Sequence, residues 1–457
     1  MNEKVDVVII GAGPAGMSAA VTAREFSLTV AVLDEQDAPG GQIYRGITSA
    51  TPRRLEILGP DYAAGGELAE RFAHSGAQHV RGAAVWQVGR ERVVNYVQDG
   101  VAKTFEAGQV IVATGAMERP FPVPGWTLPG VLTAGAAQIL LKSADMAPDR
   151  PAVLVGCGPL LYLLGWQYVR AGVPIQAIVD TTDIADYKYA MPHLMGALAG
   201  WRYLKKGLML MRALKKSGVP FYKAATGIGI EGESAVTGLR FSSDGKKRHI
   251  ATNLVLLHQG VVPNTQITWS LRAKHQWDEV QLCWVPQVDA WGQLDLPGIF
   301  VAGDGRGIGG AAAAALQGQI AGLAAAAVAG KLTEAQRDAR AGPVRIALRK
   351  NLQIRPFLDA LYRPKLANRV PADDVVVCRC EEVTAGAIRE YIALGCVGPN
   401  QTKSFGRCGM GPCQGRMCGL SVTEIIAEQR AVSPAEVGYY RIRPPLKPIT
   451  LGELAGD

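Results

Sequence analysis

Histidine is scarce and scattered in this chain: six residues, at positions 74, 79, 193, 249, 258 and 275. No Ser–His–Asp signature accompanies them, so nucleophilic hydrolysis has no candidate triad. His258, at a strand end, is expected to be a hydrogen-bonded structural residue. No Cys-x-x-Cys lies in residues 1–330, which excludes a redox dithiol there. The segment Met1–Val5 carries an acid and no apolar run, so it does not read as a secretion signal, and a cytoplasmic setting is expected, with peripheral membrane attachment the alternative. Only Ala311 to Gly330 is apolar and long enough to cross a bilayer. It holds Gln317 and Gln319 and is mostly alanine, so a buried helix is expected rather than a membrane span. The 54 glycines follow no G-X-Y period, and no tandem repeat appears. The net charge of +8 comes with no nucleic-acid motif and reads as a basic surface patch.

What remains is a chain of 457 residues, 48% hydrophobic and 19% charged, long enough for about three domains at ~150 residues each. Its first motif is the most regular. Val5–Ile10 is an apolar strand pattern, Gly11-x-Gly13-x-x-Gly16 follows at once, and Met17–Glu25 is helical in pattern. A short strand then ends at Asp34-Glu35. The first glycine permits the tight turn, the second lets backbone N–H groups approach a pyrophosphate, and the third lets helix and strand pack closely. The helix N-terminus then favours negative charge, and Asp34 or Glu35 is placed to accept from ribose hydroxyls. Thr114-Gly115 and Gly303-Asp304 each end an apolar strand and are further candidates for the same nucleotide. An ordinary set of glycine turns without a ligand is the bland alternative.

A second glycine turn follows the proline-rich run 117–130. Gly156 and Gly158 are present, but Leu161 stands at the third position. A leucine there should push the helix from the strand and crowd the pyrophosphate path. This lobe is therefore expected to be a Rossmann-like scaffold that has lost tight NAD(P)H binding, against the alternative of a tolerated variant turn.

Of eight cysteines, Cys157 and Cys283 read as core thiols, and six fall between Cys378 and Cys418. Cys378-x-Cys380, a helical stretch, and then Cys413 and Cys418 on a glycine-rich loop could supply four thiolates to a [2Fe–2S] cluster. Cys396 and Cys408 are set aside as ligands. A structural zinc on four cysteines is the alternative. Between the two regions, residues 337–369 hold nine Arg and Lys against Asp338 and Asp359. Phe357, Leu358, Leu361 and Tyr362 are interleaved, so this basic linker is a candidate contact with a partner, or else packs on its own chain.

With these motifs in place, residues 5–330 resemble the two-dinucleotide-domain flavoproteins. Gly40-Gly41-Gln42-Ile43-Tyr44-Arg45 and the run Gly298–Gly322 are similar to one branch of them. Residues 375–425 resemble the [2Fe–2S] domain of the bacterioferritin-associated-ferredoxin type. The combination is similar to the α subunit of heteromeric bacterial amino-acid dehydrogenases, among them opine oxidases, D-hydroxyproline dehydrogenase, dye-linked proline dehydrogenase and hydrogen cyanide synthase.

The resemblance implies an α/β, Rossmann-like flavoprotein with a small helical C-terminal [2Fe–2S] domain. Its parts would be an FAD domain in two pieces (1–118 and 261–330), an inserted NAD(P)-type domain (119–260), a basic linker (331–372), the cluster domain (373–430) and a tail (431–457). FAD, or ATP in some members, would contact Gly11, Gly13, Pro14, Ala15, Gly16, Asp34, Glu35, Gly41, Gln42, Arg45, Thr114, Gly115, Gly303 and Asp304. FMN lies between subunits in some relatives. A β subunit resembling glycine or D-amino-acid oxidases would oxidise the amine, with a small third subunit in some complexes. Electrons would pass through flavin and cluster to an external acceptor. No acid–base catalyst is expected in this chain. A self-sufficient NAD(P)H-dependent reductase and a non-enzymatic scaffold are the competing readings.

Overall fold

The computed structural model describes residues 3–455. By contacts the chain divides into two compact units. One comprises Met1–Met117, Val262–Leu352 and Arg441–Asp457; the other comprises Glu118–Val261 and Gln353–Tyr440.

The first unit is organised by the apolar strand Glu3–Ile10, whose Val7, Val8 and Ile9 are fully buried. It pairs in parallel with Val30–Asp34 on one side and Val101–Val112 on the other. Gln78–Arg81 extends the first side in parallel, and Ile299–Val301 pairs in parallel with Val110–Val112. Val93–Gln98 and Ala84–Val88 complete a seven-stranded sheet as an antiparallel meander. Helix Pro14–Arg24 packs against helix Ala311–Val328, and glycines set their separation. A Cβ on Gly318 would lie 2.1 Å from the Ala15 carbonyl oxygen, and one on Gly322 would lie 2.9 Å from that of Ala19. The long apolar run is thus a core helix of this unit, in keeping with its glutamines and alanines. Gln317 turns inward and accepts from the Gly303 N–H at 2.9 Å.

The second unit carries a parallel five-stranded sheet in the order Phe221–Tyr222, Ile175–Asp180, Ala152–Cys157, Val255–Gln259, Val131–Thr133. A three-stranded antiparallel sheet, residues 226–251, shares its core, where Phe121, Trp126, Val153, Val179, Leu239 and Val375 meet. The cysteine region belongs to this unit. It pairs two short strands, Val376–Cys378 and Val383–Thr384, with helices Ala385–Ala393, Pro399–Gly406 and Gly419–Arg430. The Trp126 indole N–H donates to the Val376 carbonyl at 2.7 Å.

The basic segment expected as one linker is split. Helix Glu334–Leu352 belongs to the first unit, where Arg337 and Arg345 stack over Trp291 at 3.9 and 4.0 Å and Arg340 lies 5.1 Å from the Phe26 ring centre. Helix Arg355–Leu361 belongs to the second, where Phe357, Ala360, Leu361 and Tyr362 close over Ala190. Of the anchors named as a candidate partner contact, Leu361 is thus buried and Phe357, Leu358 and Tyr362 are half-buried, with Phe357, Leu361 and Tyr362 packed in their own unit. Cation–π contacts hold Arg337, Arg340 and Arg345, and ion pairs to Asp359 and Glu424 hold Arg355 and Arg369, while Arg349 and Lys350 are exposed. Within the expected tail, residues 441–455 lie in the first unit, with the Leu446 N–H donating to the Trp86 carbonyl at 2.8 Å.

Candidate functional site

In the first unit the glycine turn has the shape that close backbone approach requires. Gly11 has φ +105°, and a Cβ there would lie 2.6 Å from the Ala113 oxygen; one on Gly16 would lie 1.8 Å from the Gly11 oxygen. These two glycines serve the fold. Gly13 differs: its Cβ would meet only the Gly41 Cα, at 3.8 Å, so its small size leaves open space. The Gly40–Gly41 loop lies directly against it, and a Cβ on Gly41 would meet the Gly13 Cα at 2.8 Å. Pro14 starts the helix and Ala15 and Gly16 are buried in its first turn.

Asp34 braces this turn, with Oδ2 accepting from the Ala12 N–H at 2.6 Å and Oδ1 from the Gln36 N–H at 2.8 Å. An ionised carboxylate has about four acceptor positions, so it keeps capacity for a ribose. Glu35 is held elsewhere, in an ion pair with Lys447 at 2.7 Å. Arg45 faces Asp34 and Glu35. Burial lowers its pKa while both carboxylates oppose this, and its Nε is buried with no hydrogen-bond partner. An orphaned guanidinium N–H beside a glycine notch suits a pyrophosphate, so these residues fit a dinucleotide. Gln42, on the same loop, is exposed.

The other strand ends have defined local roles. The Thr114 hydroxyl donates to the Asn264 carbonyl at 3.1 Å, and the Gly115 carbonyl accepts from the Asn264 N–H at 2.9 Å. The Asp304 Oδ1 accepts from the N–H groups of Gly309 and Gly310, both at 2.9 Å, and so shapes the entry to helix Ala311–Val328. Gly303 needs its φ of +78° and its lack of a side chain, since a Cβ would meet the Ala15 Cβ at 2.8 Å.

In the second unit the residues around the corresponding turn are buried and bonded to one another. Leu161 is fully buried, in keeping with its place in the turn. The larger obstacle is one the sequence does not reveal. Asp180, at the end of the second strand where a ribose acid would stand, accepts from the Tyr162 hydroxyl at 2.5 Å and the Thr182 N–H at 2.8 Å. Burial pushes the Asp180 carboxyl up. The Tyr362 ring lies 6.2 Å from that of Tyr162, and the Cys157 thiol is 3.6 Å from the Tyr362 carbonyl. Lys365 then pins the cover to Asp183 and Asp186 at 2.8 and 2.6 Å. His258, 2% exposed, sits under the glycine turn, 3.3 Å from where a Gly158 Cβ would be, and its Nδ1 is 2.6 Å from Glu118 Oε1.

The cysteine region gathers more sulfur than its spacing suggests. The Sγ atoms of Cys378, Cys408 and Cys418, all buried, lie within 4.8 Å of one another. Cys380 and Cys413 form a more exposed pair joined by a hydrogen bond. Cys408, set aside as a ligand on spacing, lies beside Cys378 and Cys418 in the folded chain. Tyr440 packs against the loop 409–415. Its ring lies between Gly409 and Gly415, where added Cβ atoms would meet it at 2.4 and 2.6 Å. Its hydroxyl donates to Cys408 at 3.4 Å and lies 3.7 Å from Cys418. The thiols of Cys408 and Cys418 pull the Cys378 thiol well below its ordinary range. Cys396 stands apart, its thiol donating to the Gly398 carbonyl at 3.4 Å. Three thiols within 4.8 Å of one another, with a hydrogen-bonded pair in the same region, are a donor set suited to an iron–sulfur cluster or a zinc ion.

Residues 5–319 match the family described as pyridine nucleotide-disulphide oxidoreductase, and residues 374–457 match the sarcosine oxidase A3 domain. The chain is 46% identical to the A subunit of opine oxidase from Rhizobium meliloti, over 100% of this chain and 88% of that one. It is 31% identical to the HcnB subunit of hydrogen cyanide synthase from Pseudomonas protegens, over 97% and 96%. The crystal structure of L-proline dehydrogenase from P. horikoshii shares the fold, with a TM-score of 0.72 at 19% identity over 99% of this chain and 80% of that one. The chain belongs to the pyridine nucleotide-disulphide oxidoreductase family, in the branch that holds the A subunit of opine oxidase.

Proposed function

We propose that this chain is the electron-transferring subunit of a heteromeric flavin dehydrogenase that oxidises the C–N bond of an amino acid or opine. The observation that carries this reading is the buried acid of the second nucleotide-type lobe. Unlike Asp34, Asp180 is 5% exposed and bonded to Tyr162, with Tyr362 near by, so it offers a nicotinamide cofactor no open ribose acid, which favours a donor reached by another route. Similarity to the A subunit of opine oxidase along the whole chain supports the same reading.

The dinucleotide, FAD or ATP, would lie on Gly11–Gly16 with Arg45 at its phosphates and Asp34 at its ribose; Thr114, Gly115, Gly303 and Asp304 would shape the far side. FAD there would supply hydride and single-electron chemistry. The chain's own part is to bind and orient it. Cys378, Cys380, Cys413 and Cys418 would hold a [2Fe–2S] cluster, with Cys408 and the Tyr440 hydroxyl beside it as neighbours able to tune it. Amine oxidation would fall to a β subunit of the glycine or D-amino-acid oxidase type, with FMN between the subunits in the manner of some relatives, and electrons would leave to an external acceptor.

Co-expression with a β subunit of the glycine or D-amino-acid oxidase type from the same source should give one co-purifying complex with amine:dye activity. Extraction and mass analysis of the nucleotide separates FAD from ATP, and anaerobic metal analysis separates iron from zinc. Two separately eluting proteins, with this chain alone oxidising amino acids at full rate, would refute the proposal.

A further inference from the structure

The cysteine region holds one buried thiol more than a [2Fe–2S] cluster needs. Such a cluster takes four protein thiolates, two on each tetrahedral iron, and the bridging sulfides fill the other positions. Cys380 and Cys413 form one pair, joined by a hydrogen bond. The other group is a trio: the sulfurs of Cys378, Cys408 and Cys418 are buried and lie within 4.8 Å of one another. With metal–sulfur bonds of about 2.3 Å, two thiolates on one tetrahedral metal stand about 3.8 Å apart. Sulfurs within 4.8 Å of each other therefore close onto one iron by shifting about 1 Å or less.

Cys378 is the fixed member of the trio. The backbone N–H groups of Gly409 and Glu381 both donate to its sulfur, an arrangement that stabilises a bound thiolate. Cys408 and Cys418 then compete for the second position, and they are alike in three respects. Both thiols donate to the Cys378 sulfur. Both lie beside the Tyr440 hydroxyl, at 3.4 Å for Cys408 and 3.7 Å for Cys418. Both have the same spacing from Cys413, which stands five residues after Cys408 and five before Cys418, and each is followed by a glycine, Gly409 or Gly419. Thr402, whose hydroxyl donates to the Pro399 carbonyl at 2.7 Å, lies 3.4 Å from the Tyr440 oxygen and helps to hold it between the two sulfurs.

We propose that Cys408 is a reserve ligand, so that Cys378, Cys380, Cys408 and Cys413 form a second complete thiolate set beside the one that uses Cys418. Where Cys418 is missing, the Cys408 thiol gives its proton to solvent and its sulfur takes the vacant iron position, with no change of oxidation state. The inference rests on the cluster reading above. It leaves Cys418 as the one ligand of the four that the chain can replace.

The test uses the full chain co-expressed with the β subunit and purified without air, with iron content and visible and EPR spectra as readouts. Cys418→Ala should keep most of its iron and show a [2Fe–2S] spectrum of altered shape. Cys408→Ala should also keep its iron, and the double variant Cys408→Ala/Cys418→Ala should lose it. Cys413→Ala should lose it too, since among the described residues no further thiol adjoins the Cys380–Cys413 pair. Loss of iron from Cys418→Ala, with its nucleotide retained, would overturn the inference and leave the cluster reading intact. Retention of iron by the double variant, or by Cys413→Ala, would show an iron site indifferent to a missing thiol and would also overturn it. If Cys418→Ala is insoluble, the near-isosteric Cys418→Ser takes its place. Adding Cys408→Ala to the serine variant should then remove its spectrum, and identical spectra with and without Cys408 would count against the proposal. Zinc without iron in the wild type would overturn both readings.

Discussion

At the residue scale, glycines that look alike in the sequence have different tasks. Gly13→Val puts its branches into the space kept open for phosphate, while its first carbon meets nothing closer than 3.8 Å. The variant is expected to fold and to lose its nucleotide on purification, read as absorbance released on denaturation. Gly16→Ala is expected to damage the fold itself, since its Cβ would lie 1.8 Å from the Gly11 oxygen. The thiols divide likewise. Cys378→Ser should remove most iron–sulfur absorption and Cys396→Ser should not; Cys408→Ala should keep the iron but shift the spectrum.

His275 adds a pH dependence. Burial lowers its pKa from 6.5 to about 4, against the opposing hydrogen bond to the Ala273 carbonyl, and its ring stacks on Trp269 at 3.8 Å. The unfolded chain therefore binds the proton more readily. The stabilising contribution is full above pH 6.5 and is lost as pH falls towards 4, by at most about 3 kcal/mol. Urea midpoints measured across that range should fall with acid, and His275→Gln should flatten the slope.

At the scale of elements, the sequence is most legible where a local pattern has one structural solution. The strand–glycine turn–helix at residues 5–24 and the Ala311–Val328 helix can be read directly, because burial of Val7, Val8 and Ile9 and the close approach at Gly318 both leave a residue signature. A Gly318→Ala change should cost about 1–3 kcal/mol through its 2.1 Å clash with the Ala15 oxygen. Gly66→Ala, in helix Gly65–Ala73 with nothing within 4 Å of the new Cβ, should stabilise by about 0.5–1 kcal/mol. Thermal unfolding of the two variants should show shifts of opposite sign.

The less legible features all depend on residues distant in sequence. Tyr162 and Tyr362 over Asp180, Arg337 and Arg345 on Trp291, and Lys447 on Glu35 join positions that no local periodicity relates. The basic stretch 337–369 looks like a linker because its charges are local, whereas their partners are not. The neighbourhood of Cys408 is hidden for the same reason: only in the folded chain does its sulfur lie beside those of Cys378 and Cys418.

For the whole molecule, the proposed reading makes the chain a conduit that receives electrons from a partner instead of from a nicotinamide. On that reading the Tyr162–Asp180 bond, the nearby Tyr362 and the Lys365 ion pairs would leave the second lobe as scaffold. The most direct test is anaerobic stopped-flow mixing of the purified complex and of this chain alone, following flavin and iron–sulfur absorbance. The amino-acid or opine substrate should bleach the complex on a turnover timescale, about 10 per second for a median enzyme. NADH and NADPH should leave this chain oxidised for many such turnovers. Bleaching of the isolated chain by NADH or NADPH at that rate would contradict the conduit role and make the protein a self-sufficient reductase.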